Sequence, residues 1–167
     1  MDSQNRFDSR GTYLLARLEA FAGLAVAVAL ALRHVGEIRW APFVLFFASI
    51  DLIGYVPGAI AHRRARGGRI SPVYHALYNT THSFLWNGLV AGLWSLLVGP
   101  EWALLAIPIH LLGDRSLFGN FFKPFSVPFE PEALPAFTAF EASLPLPSPP
   151  PQAGEGDGQL VLERIAS

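Results

Sequence analysis

The sequence predicts an all-α fold, a four-span transmembrane helical bundle followed by a disordered C-terminal tail. Three observations carry this expectation. Apolar residues make up 51% of the 167 residues, and the positive mean hydropathy exceeds that of an ordinary soluble domain. The apolar stretches are each long enough to cross a hydrocarbon core about 30 Å thick, which takes about 20 helical residues. Basic residues gather at the ends of those stretches, where membrane topology puts them.

Residues 1–12 read as a cytoplasmic leader and 13–130 as the transmembrane domain. The first span covers 13–32. A signal peptide competes for this segment, because a basic leader precedes a thirteen-residue apolar run and Ala29-Leu30-Ala31 resembles a cleavage site. Arg17 and Glu19 extend it to a full helix, and three further spans follow, so an uncleaved span is the better reading. The second span, 40–61, has Asp51 at its middle. A carboxylate at that depth is costly and usually faces a functional interior. The basic loop HRRARGGR separates it from the third span, 73–98, with Ser71 placed to cap and Pro72 at the first helical position. Gly99-Pro100 turns the chain into the fourth span, 101–122. Pro57 and Pro108 lie inside spans and are expected to kink them. Residues 131–167 are rich in Pro, Ala, Ser and Gly without an apolar period, which predicts disorder. Their run Pro149-Pro150-Pro151 suits either a polyproline reader or a bare linker.

The arginines orient the spans. Arg6, Arg10, Arg17, Arg63, Arg64, Arg66, Arg69, Arg115, Lys123 and Arg164 fall on one side, and only Arg33 and Arg39 on the other. This places both termini on the cytoplasmic side of the cell inner (plasma) membrane, with membrane lipids as the surroundings. Trp40 and Trp102 begin spans where an outer aromatic belt belongs. Residues 1–124 hold eleven of the twelve basic residues and seven of the thirteen acidic ones. Because those bases flank spans, no surface for nucleic acid emerges. The chain has no cysteine, which excludes disulfides, thiolate metal sites and cysteine catalysis.

Polar residues inside the spans share a layer. Counting inward at 1.5 Å per residue puts Asp51 at about 16 Å, His82 at about 15 Å, Asp114 at about 14 Å, Glu19 at about 13 Å and His110 at about 20 Å. His75, Asn79 and His82 recur at helical spacing on one face, as do His110 and Asp114. Two imidazoles and two carboxylates, His82, His110, Asp51 and Asp114, suit a divalent metal such as Zn, Mn or Fe. That reading requires His82, His110 and Asp114 to converge within about 5 Å. The same residues also suit interhelical hydrogen bonding without a ligand, or a transport path. Arg115 reads as an interface anchor, as an ion-pair partner of Asp114 or Glu19, or as a bidentate holder of an anionic group. His34 and His62 sit at helix ends, and Tyr55 and Tyr78 suit packing or donation to a site.

Ala16-Arg17-Leu18-Glu19-Ala20, Ile50-Asp51-Leu52 with Gly54-Tyr55, Tyr78-Asn79-Thr80-Thr81-His82, and His110 to Asp114-Arg115 with Gly119 and Lys123 follow one another in order. Over residues 12–125 this order resembles a family of small bacterial membrane proteins, domain-of-unknown-function family four-two-six-zero. Ile50 stands where that family has proline, and the Arg-rich loop is longer. The resemblance implies a fold and a polar site but no reaction. A looser similarity, a histidine-bearing span followed by HxxxD, is to the membrane-bound metal-dependent hydrolases, and implies Asp and His ligands. The expected function is therefore a multi-pass membrane protein with an intramembrane His/Asp cluster. As a hydrolase on a lipid-like or phosphorylated substrate, it would hold a metal on His82, His110 and Asp114, with Asp51 as fourth ligand or general base and Arg115 on the substrate anion. The alternatives are a small transporter or proton relay using Asp51 and Glu19, and a structural membrane subunit.

Overall fold

The computed structural model describes residues 10–131, within a first unit that ends at Pro131, and in the second unit only Pro135, Ala136, Ala139 and Ser143. The expected disordered tail, its proline run and most of the leader lie outside the described residues. All regular structure among the described residues is helical. Helix α1 (Arg10–Arg33) contains no proline and runs unbroken. It is followed by α2 (Trp40–Gly54), α3 (Val56–Arg64), α4 (Pro72–Thr81), α5 (Phe84–Leu97), a 3₁₀ turn (Trp102–Leu105), α6 (Ala106–Gly113) and a π turn (Asp114–Phe118).

Two stretches, Gly11–Arg33 of 23 residues and Trp40–Arg64 of 25, are long and apolar enough to cross a bilayer. Only 17% and 22% of their apolar windows is buried inside the molecule, whereas the core helix of a water-soluble domain would be mostly covered. Leu14, Leu18, Val26, Val44, Leu45 and Leu52 are all exposed, apolar surface of a kind that suits hydrocarbon better than water.

The third and fourth expected spans are interrupted, and the interruptions are chemically satisfied. Between α4 and α5 the chain breaks at His82-Ser83. Ser83 caps α5 by accepting from Leu85 N–H (3.1 Å), and Asn87 donates to the Thr81 and Ser83 carbonyls. A buried break without such partners would leave orphaned carbonyls. Pro57 acts as expected, though upstream of itself: the helix is interrupted at Tyr55, with Pro57 in the first turn of α3. Pro108 kinks nothing in the middle of a helix, because the 3₁₀ turn delays α6 to Ala106 and leaves the proline in the first turn, where no donor is needed.

α1 packs on α6 and the π turn, while α2 packs on α4, α6 and the 3₁₀ turn. The core between α2 and α6 is Phe46, Ile50, Ala106, Ile107 and Leu111. Gly54 lets α4 approach α2 closely, since a Cβ there would run into the Thr81 hydroxyl. A second core lies at the end where α3 and α4 meet. Residues 119–131 return across it and seat Phe129, fully buried, on Gly58, whose missing side chain leaves the space. Tyr55 and Tyr78 flank that ring. Asn79 and the Lys123 backbone exchange two hydrogen bonds (2.9 and 2.8 Å), and Lys123 Nζ donates to the Phe129 carbonyl (2.7 Å) and to Glu130 (3.0 Å).

The opposite end is closed by a polar cap. Glu101 accepts from Trp94 Nε1 (2.6 Å) on one oxygen and from Arg39 (3.3 Å) on the other. Glu37 likewise faces His34 Nδ1 (2.9 Å) and accepts from Trp102 Nε1 (3.1 Å), and His34 stacks on Trp102. The His34 bond, then the Trp102 bond, hold the Glu37 carboxyl below its ordinary range.

Candidate metal centre

Four of the expected polar residues meet. Each of Asp51, His82, His110 and Asp114 offers one ligand atom, and these atoms lie within 4.8 Å of one another. They come from α2, from the residue just past α4, from α6 and from the start of the π turn. His82 closes the last turn of α4, its backbone N–H still donating to the Tyr78 carbonyl (2.9 Å). His75 and Asn79, earlier on the same helix, are engaged elsewhere, His75 Nε2 donating to the Val127 carbonyl (3.2 Å) and Asn79 pairing with Lys123.

Both imidazoles are held by their surroundings. His82 Nδ1 lies 3.0 Å from the Tyr78 carbonyl. The Thr81 hydroxyl lies 3.1 Å from the same nitrogen; with Nδ1 donating to the carbonyl, which only accepts, Nε2 of the neutral ring offers its lone pair. Tyr78 stacks on the same ring at 3.8 Å, and Phe47 meets His110 edge-on at 4.7 Å. His82 Nε2 is 3.3 Å from Asp51 Oδ1 and 3.2 Å from Asp114 Oδ2. His110 Nε2 is 3.6 Å from Asp51 Oδ2 and 3.6 Å from Asp114 Oδ2.

These are ion-pair separations, yet neither Nε2 atom has a hydrogen-bond partner, although both side chains are at least nine-tenths buried. Among the described residues the same lack marks only Nδ1 of His62, His75 and His110, none of which faces a carboxylate pair. A tetrahedral site with metal–ligand bonds of about 2.0–2.2 Å has ligand–ligand edges of about 3.3–3.6 Å. The four nitrogen–oxygen distances lie near that spacing, but Asp51 meets the two histidines with different oxygens and the ligand atoms spread over as much as 4.8 Å, so the group could hold a metal ion without being a tetrahedral cage as it stands. Of the two carboxylates Asp51 is the more open, its side chain 46% exposed against 17% for Asp114.

Arg17 secures the element that carries Asp114. Its guanidinium donates to the Ser116 carbonyl (2.9 and 2.7 Å) and to that of Leu117 (3.1 Å), an arrangement that also suits the negative end of a helix. The π turn ends at Gly119 in the left-handed conformation (φ 71°), where the Tyr13 hydroxyl reaches the carbonyl.

Two expected participants stand apart. Arg115 pairs with neither Asp114 nor Glu19; Nη2 donates to the His82 carbonyl (3.4 Å) and the guanidinium lies over the Phe84 ring (4.6 Å). It supports the helix break, because that carbonyl has lost its helical donor. Glu19 is exposed on α1 and outside the cluster. Thr81, Asn87, Lys123 as an aromatic-caged ammonium, and Phe129 were not singled out by sequence reasoning. A serine cap signal at Ser83 ahead of an apolar run could have marked the break.

No protein-family model matches the chain, and neither a curated protein nor a solved structure matches it.

Proposed function

We propose that the chain is a four-span inner-membrane protein, both termini cytoplasmic, whose His/Asp cluster holds a divalent metal and hydrolyses an ester or phosphoester. The carrying observation is the pair of buried Nε2 atoms that stand at ion-pair distance from two carboxylates without making a hydrogen bond of regular geometry to either. A cluster serving only as interhelical glue would be expected to close its own hydrogen bonds.

The up-and-down order is supported by the cap, which joins the end of α1, the start of α2, the end of α5 and the 3₁₀ turn. The passages are then α1, α2 with α3, α4 with α5, and the 3₁₀ turn through the π turn. Broken helices at membrane depth are tolerated where they line a polar site. The resemblance to the four-two-six-zero family belongs to the same reading.

His82, His110 and Asp114 are the ligands. A metal there supplies Lewis acidity and a nucleophile from water at neutral pH. Asp51, the more open carboxylate, takes the proton from the attacking water and returns it to the leaving oxygen as the ester bond breaks. The chain's contribution is otherwise positional: Tyr78 fixes the His82 tautomer, and Arg17 holds the turn bearing Asp114.

The test is elemental analysis of the purified protein beside His82→Ala, His110→Ala and Asp114→Ala. Stoichiometric metal in the wild type and loss of about tenfold or more in each variant is expected. A metal-free wild type, purified without chelator and still metal-free after incubation with Zn, Mn or Fe(II), would sink the reading and leave the proton relay or the structural subunit.

A further inference from the structure

Asp51, His110 and Asp114 form the floor of a groove of about 420 Å³ between α1, α2 and α6. Its walls are Leu24, Val28, Phe47, Ile109, Leu117 and Phe118. Apart from the floor, the lining is apolar, and two of the wall-bearing helices are the long exposed ones. A groove on the lipid-facing side of such helices opens to hydrocarbon rather than to water. It also leads to the more open carboxylate, Asp51.

Charge narrows what can enter. The described lining contains two carboxylates and no lysine or arginine. The arginine next in sequence to Asp114, Arg115, is committed to the His82 carbonyl and the Phe84 ring. With a divalent metal balancing the two carboxylates, a phosphate or sulfate would still bring an excess anion into an apolar site that has no lysine or arginine to meet it, a costly combination. A zwitterionic headgroup would further have to leave the interface for the middle of the bilayer. A neutral ester on a long apolar chain meets neither obstacle.

We infer that this groove takes an uncharged long-chain lipid ester, which enters sideways from the bilayer with its chain against Leu24, Val28 and Phe47 and its ester at Asp51 and His110. This rests on the proposed metal centre for its chemistry, but the groove can be tested separately. Gly113 offers a means, because a side chain there meets open space on the groove side.

The protein in phosphatidylcholine nanodiscs would be photolabelled with a diazirine-bearing long-chain fatty acid methyl ester, and the labelled peptides mapped. Label is expected on segments 24–28 and 109–118, displaced by unlabelled methyl ester and not by an alkyl phosphate of equal chain length. Gly113→Phe and, from the opposite wall, Val28→Trp should each cut that label about tenfold while metal content stays at the wild-type level. Label spread over the exposed helix faces and indifferent to both variants would overturn the inference, as would equal displacement by the alkyl phosphate. If the wild type proves metal-free while label still maps to the groove, the lipid site stands and the metal reading alone fails. If metal is bound and label does not map there, the groove inference alone fails.

Discussion

The polar cap and the His/Asp cluster both set two carboxylates among nitrogen donors, one imidazole with an arginine and two indoles in the cap and two imidazoles in the cluster, with opposite results. In the cap each of the four carboxylate oxygens of Glu37 and Glu101 faces its own donor. In the cluster the carboxylates of Asp51 and Asp114 stand opposite two Nε2 atoms that complete no hydrogen bond. The cap is exposed over much of Glu37 and Arg39 and could draw on water if a partner failed. The cluster histidines are buried and have no such recourse. A completed network explains itself as structure, whereas a buried group with incomplete hydrogen bonds is the place where a water or an ion would be accommodated.

The comparison breaks most sharply under chelation. Removing metal should lower the melting temperature of the wild type by several degrees and leave His110→Ala unmoved, since a ligand stabilises only the state that binds it. Scanning fluorimetry with and without EDTA reads this. A shift of equal size in both proteins would detach the effect from the cluster.

Two glycines give the next contrast. Gly54→Ala drives a methyl into Thr81 beside His82, whereas Gly36→Ala, next to the cap, meets open space. The first should destabilise by about 1–3 kcal/mol and reduce metal content, and the second should do neither. Equal effects on the denaturation midpoint would show that the cluster is no more tightly specified than the cap.

Trp94→Phe removes the donor to one Glu101 oxygen and should cost about 0.5–1.5 kcal/mol, with full metal retention. Metal loss in this variant would mean that the two regions are coupled. The smallest effect belongs to Glu37. Its pKa is depressed in the folded protein, so its contribution is present above the ordinary carboxylate range and is lost as pH falls through the depressed value. Below the ordinary carboxylate range the stability of the wild type should therefore fall with pH more steeply than that of Glu37→Gln, by a small amount because the group is exposed. Equal slopes for the two proteins in that acid window would remove Glu37 from the titration.

The meeting of Asp51, His82, His110 and Asp114 was legible because helical rise is fixed and polar residues in apolar runs stand out against it. Counting residues put the four at similar depth, and the ligand atoms converge. Glu19 passed the same count and lies outside, since depth says nothing about which face of α1 turns inward. The break at His82-Ser83 was hidden by the mostly apolar character of Phe84 to Leu97, and the partners of its carbonyls, Asn87 and Arg115, make it tolerable. Phe129 was invisible for another reason. Its burial depends on a space at Gly58 that no local pattern records.

The seat of Phe129 on Gly58 also fixes an order of assembly during synthesis, when chains emerge and fold from the N-terminus. Asp51 and Gly58 leave the ribosome early, His110 and Asp114 much later, and Phe129 after every helix of the described unit. A nascent chain halted before residue 110 carries half a cluster, Asp51 and His82 without their counterparts. The segment that closes the second core is translated after all of these helices, so a premature stop after the π turn would leave all four cluster residues present and the Gly58 socket empty.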